Sequence, residues 1–167
     1  MLNHMYKERT QKYIYEACEE EGSFIPLTEI DIEKIKSMLK TASADLESNN
    51  EWIKNARKES NQWNAIFKIN YDILHLLVEA FLIFDKIKAR THECLFTYLC
   101  EKHSELEFDW RFFEKIRTIR NGSLYYGKLI TYKEWEEIQF QLNLYINGLK
   151  KEIEIKLKEY EKLEEDE

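Results

Sequence analysis

Two arginines three residues apart, Arg117 and Arg120, open an eleven-residue stretch that continues through Asn121-Gly122 and Tyr125-Tyr126 to Gly127. That spacing puts both guanidinium groups on one side of a helix. On the other side, Ile116, Ile119 and Leu124 continue the apolar stripe of Trp110, Phe112 and Phe113. The apolar half reads as core. The polar half admits two readings. One is a helix end with solvated arginines and an aromatic stop. The other is a site built on the two guanidinium groups, whose kind the residues narrow without settling. Lys128 extends the basic run just beyond the glycine.

The net charge of −7 argues against a nucleic-acid partner, because phosphate binding draws on surplus lysine and arginine. Its distribution is uneven. Residues 109 to 133 carry Arg111, Lys115, Arg117, Arg120, Lys128 and Lys133 against Asp109 and Glu114, whereas residues 134 to 167 carry eleven acids against five lysines. Either two solvated helix faces or a basic patch around the central stretch accounts for this pattern.

Other chemistries find less support. His92-Glu93 lacks the second histidine of a zinc-protease helix, and His75 and Glu79, four apart, make too few ligands alone, so neither metal nor cofactor is expected. Cys18, Cys94 and Cys100 form no C-x-x-C and leave an odd one over, so they read as free thiols in a reducing cytosol. Cys94 and Cys100 occupy apolar helix positions where a thiol is inert. Glu79 lies within Leu-Leu-Val-Glu-Ala-Phe-Leu, where an unpaired carboxylate is costly to bury. Arg120 is its expected structural partner across the bundle, the alternative being that Glu79 faces water.

The elements that must position these residues are helices. With 167 residues, one proline and four glycines, the chain reads as one all-α domain of long helices. Residues 1 to 27 read as an N-terminal appendage, with a helix over 5 to 20 presenting Tyr6, Tyr13, Ile14, Ala17 and Cys18. Residues 28 to 167 read as a four- to five-helix up-down bundle. Thr28 and Asp31 mark the start of a helix to about Arg57, and a second, the most apolar, runs from about Gln62 to Lys86. Thr91 caps a third through about Lys102, the capping-box spacing of Ser104 and Glu107 precedes a fourth that stops at Gly127, and Thr131 with Glu134 opens a last helix of about thirty residues. The apolar stripe of that last helix, Trp135 to Leu163, is longer than one bundle needs, so a homodimer is expected. The longest apolar run, Ile73 to Phe84, is too short and too polar to span a bilayer, and the N-terminus carries no signal-peptide pattern, so a cytoplasmic location is expected.

The order of parts resembles the HEPN superfamily. The resemblance rests on Tyr71-Asp-Ile-Leu-His-Leu-Leu-Val-Glu-Ala-Phe-Leu, then Thr91-His-Glu, then a helix bearing Ile-Arg120-Asn121 followed by Tyr125-Tyr126-Gly127. It covers residues 45 to about 150 and is specific only over Arg117 to Gly127. It implies a helical bundle that dimerises and brings two copies of the motif together. Many members are metal-independent ribonucleases of toxin–antitoxin and defence systems; others bind RNA or a partner without catalysis, often beside a small nucleotidyltransferase. The ribonuclease motif needs a histidine four to six residues beyond the arginine, where this chain has Tyr125, Tyr126 and Gly127. A histidine with pKa about 6.5 exchanges protons at neutral pH, whereas a tyrosine with pKa about 10 is a poor base. The resemblance therefore implies a module that binds RNA, a nucleotide or a nucleotidyltransferase-type partner through Arg117, Arg120, Asn121, Tyr125, Tyr126 and Lys128. An endoribonuclease using Arg120 with Tyr125 or Tyr126, and a purely structural interaction module, are the alternatives.

Overall fold

A computed structural model describes residues 9–165. Its elements run α1 (Gln11–Glu20), β1 (Phe24–Pro26), α2 (Ile32–Asn55), α3 (Gln62–Phe84), β2 (Ile87–Ala89), α4 (His92–Lys102), α5 (Trp110–Tyr126) and α6 (Tyr132–Glu165), with a 3-10 turn at Ser104–Leu106. The fold is an all-α bundle with a two-stranded ribbon at its side. Because α3 is apolar almost all the way round, it can only be central. Its buried Ile66, Phe67, Leu74, Leu77, Phe81 and Leu82 meet α2 on one flank and Trp135, Ile138, Leu142 and Leu149 of α6 on another.

Several sequence signals act as read. Thr91 Oγ1 accepts the Cys94 N–H at 3.1 Å and so caps α4. Glu134 accepts the Thr131 N–H at 2.9 Å, the capping box of α6. Gly127 takes the left-handed conformation, φ +65°, and its N–H and that of Lys128 both reach the Gly122 carbonyl, which closes α5. Other signals shift. Asp31 itself, not Thr28, caps α2, accepting from the Lys34 N–H at 2.9 Å. Asp109 caps α5, while Ser104 and Glu107 belong to the 3-10 turn before it. The helix read from residue 5 is seen from Gln11; Tyr6 and the earlier residues lie outside the described ones.

The N-terminal segment is fastened to the bundle in two ways. Phe24–Pro26 pairs antiparallel with Ile87–Ala89. Cys18 is also disulfide-bonded to Cys94, Cα–Cα 5.7 Å, where α1 packs on α4. This corrects the reading of three free thiols, since only the packing of two helices 76 residues apart in sequence brings those sulfurs together. Cys100 is the odd one, buried, with its thiol pushed up to about 12 by burial first and then by Asp109 and Glu101. Because disulfides persist in oxidising surroundings, the cysteines give no argument for a reducing compartment. Cys18→Ser should lower the unfolding free energy by about 2 to 4 kcal/mol. Urea denaturation checks this: a reductant should bring the wild type to the variant's midpoint and leave the variant unmoved.

The last helix also departs from expectation. Its predicted stripe is consumed within one chain as far as Tyr160, whose ring lies 5.8 Å from that of Phe84, and Lys36 of α2 reaches Glu161 at 3.2 Å. Among the described residues of that stripe only Leu163 stands largely free, at 64% exposure. No helix is long and apolar enough to cross a membrane among the described residues.

Candidate phosphate-binding cleft

Where the first turn of α4 meets the polar side of α5 there is a cleft of about 390 Å³, lined by Thr91, His92, Glu93, Arg117, Arg120, Asn121 and Tyr125. The two arginines have different surroundings. Arg117 donates from Nε and Nη2 to both carboxylate oxygens of Glu114, each at 2.9 Å, and from Nη2 to Glu93 at 2.6 Å. Those Glu114 hydrogen bonds raise its pKa above the ordinary arginine value, against burial. Glu93 accepts a second arginine, Arg9, also at 2.6 Å. Arg117 is thus held as scaffold, tying α5 to α4.

Arg120 is held more loosely. Its guanidinium lies over the Tyr71 ring, 4.9 Å from the centroid. Among the described residues the one acid within ion-pair range is Asp72, at 3.8 Å, with a side chain 65% exposed against 21% for Arg120. A pair so long and so open to water contributes about 0 to 1 kcal/mol. The expected Glu79–Arg120 pair does not form. Arg120 sits at the level of Tyr71, and Glu79, eight residues further along α3, is about 12 Å away along the helix axis. Glu79 instead stands 3.6 Å from His75 Nδ1.

Beneath Arg120 lies a column that sequence reasoning did not assemble. Tyr71 OH and His92 Nδ1 are 2.9 Å apart, and the His75 and His92 rings approach to 3.8 Å between centroids. Tyr71, fully buried, has its pKa pushed far up by desolvation, so it keeps its proton. Where Tyr71 donates to Nδ1, the proton of a neutral His92 sits on Nε2, and His92 is a hydrogen-bond donor there. Both imidazoles are driven uncharged: His75 to about 3 by burial, then by His92 and Arg120; His92 to about 4 by burial, then by Arg120 and Arg117.

This carries a pH consequence. Folding holds both groups below their ordinary histidine value of 6.5, so it favours their neutral forms. Their contribution to stability is complete above that value and is lost as pH falls through about 4 and then about 3. Urea midpoints measured across this range should fall more steeply in the wild type than in His75→Gln/His92→Gln. Equal slopes would remove the histidines from the account.

Four of the predicted residues, Arg117, Arg120, Asn121 and Tyr125, therefore share one cleft. Tyr126 is 86% exposed and outside its lining, and Lys128 pairs with Glu134 at 3.1 Å. The additions are Tyr71, Asp72, His75 and His92. Their signal in the sequence was the Tyr71, His75, Glu79 stripe on one helix face and the position of His92 directly after a cap. The end of α5 is fixed by Asn64 of α3, whose Oδ1 accepts from Ser123 Oγ at 2.9 Å and from the Ile130 N–H at 3.2 Å. Comparison with family models, curated proteins and solved structures finds no match, so what the cleft does is read from its own geometry.

Proposed function

We propose that the cleft binds a phosphate of RNA or of a nucleotide without efficient catalysis. The observation that carries this reading is Arg120, a largely buried guanidinium aimed by an aromatic ring into a cleft and lacking a close carboxylate. Phosphate supplies the planar acceptor pair such a group lacks. The first turn of α4 faces the same space, where backbone N–H groups and the helix dipole favour an anion. His92 offers a donor, Asn121 offers amide hydrogen bonds, and Tyr125, 74% exposed, offers a ring for stacking. The HEPN resemblance accords with this reading, as does a binding role beside a nucleotidyltransferase.

One observation favours cleavage instead. His92 sets an imidazole beside Arg120, where the motif itself has none. Burial, then Arg120 and Arg117, hold its pKa at about 4, however, which makes it a weak base near neutral pH. Titration of the wild type with short single-stranded RNA over a salt series tests both readings. Binding that weakens linearly in log salt, with the RNA intact, is the expected result. RNA cleavage lost in His92→Ala would establish the ribonuclease, and no binding at low salt would end both.

The protein acts, on this reading, as a homodimer joined through the outer face of α6. Phe140 and Leu144 are 81% and 58% exposed there, and a Cβ built at Gly148 meets nothing within 4 Å. A two-fold axis at Leu144 sets Phe140 of one copy, four residues before it, against Gly148 of the other, four residues after, and sets Glu137 against Lys151. Light scattering should give twice 20.4 kDa at micromolar concentration for the wild type and the monomer mass for Phe140→Glu.

A further inference from the structure

Away from the cleft, a cavity of about 260 Å³ opens between the first turn of α2, the second half of α3 and β2. Leu27, Met38 and Ile87 give it an apolar floor, and Lys34, Lys88 and Glu79 give it charge. The charges are not satisfied by one another. Neither lysine has an ion-pair partner among the described residues, and Glu79 has only His75 within ion-pair range, at 3.6 Å. That histidine is uncharged near neutral pH. Burial raises the Glu79 pKa, while Lys88 and Lys34 act on it from a distance. Such a set asks for a cation at Glu79 and an anion at the lysines, with an alkyl group on the floor.

We propose that this cavity binds a free aliphatic α-amino acid. Its ammonium pairs with Glu79, its carboxylate sits between Lys34 and Lys88, and its side chain packs on Leu27, Met38 and Ile87. A simple carboxylic acid would set a second carboxylate beside Glu79, and a simple amine would set a third ammonium beside the lysines. The zwitterion satisfies all three groups. The volume, about 260 Å³, lies just below the usual range of small-molecule sites, about 300 Å³ upward, which suits an amino acid and rejects a nucleotide. The two sites share no lining residue, so this inference stands apart from the RNA reading.

Isothermal titration of the full chain with L-leucine tests it, with 4-methylpentanoate and isopentylamine as the analogues lacking the ammonium and the carboxylate. Leucine should bind, each analogue about tenfold or more weaker, and Glu79→Gln should weaken leucine by a similar factor. Lys34→Ala/Lys88→Ala changes only exposed side chains, so it should melt with the wild type while losing leucine and keeping RNA. Absence of leucine binding up to about 10 mM overturns the proposal. So does 4-methylpentanoate binding as well as leucine, or a lysine double variant that binds leucine unchanged.

Discussion

Arg120→Ala should weaken RNA binding at low salt by roughly 10- to 100-fold, the loss of one charge-assisted hydrogen bond at about 1.5 to 3 kcal/mol. It should also reduce the slope of log affinity against log salt by about one. The fold should barely register the change. Arg120 has the distant, exposed Asp72 and the face of Tyr71 as partners, so its removal costs about 1 kcal/mol or less. Asp72→Asn should act oppositely, tightening RNA binding by freeing the guanidinium. An Arg120→Ala protein that binds RNA as the wild type does, or one that merely melts far earlier, would mean that the arginine is scaffold.

The second large effect belongs to Arg117, and it falls on stability. Arg117→Ala strands Glu114, whose side chain is 20% exposed, between α4 and α5, and leaves Glu93 with Arg9 alone. The loss should be about 3 kcal/mol, which for a domain of this size lowers the melting temperature by roughly 6 to 12 °C. Glu93→Gln/Glu114→Gln in the same background should recover part of it. Lysine should recover little, because it cannot present the forked donors that span both Glu114 oxygens. Thermal melts decide the matter: a variant that keeps its melting temperature but loses RNA would move Arg117 from the scaffold to the ligand.

The contrast between these two arginines was not legible in the sequence. Their spacing placed them together on one side of α5, and the structure keeps them there. What separates them lies on other helices. Glu93 reaches Arg117 from α4, and Tyr71 meets Arg120 from α3. Periodicity alone gave the helices and made α3 the most buried of them. The caps that depend on neighbouring residues, Thr91, Thr131 with Glu134, and Gly127, could be read directly. Features set by distant packing could not. The Cys18–Cys94 bond requires α1 to lie on α4, and the ribbon consists of two three-residue strands, one containing a proline, too short for any alternation to show. Spacing carries no information on the relative height of two helices, and it is height that separates Glu79 on α3 from Arg120 on α5. The place of His92 beside Arg120 is not legible in the sequence, because it is set by Tyr71 and Arg120, neither of which is near it in the chain.

The most direct test of the cleft as a phosphate site is a side-chain NMR titration. The His92 imidazole and Arg120 Nε–H resonances would be followed as short single-stranded RNA is added at low ionic strength. Both signals should shift together and saturate with the RNA, and His103, pinned between Asp85 and Glu105 on another face, should stay still. RNA that binds while His92 and Arg120 remain unmoved would contradict the account and place the interface elsewhere on the protein.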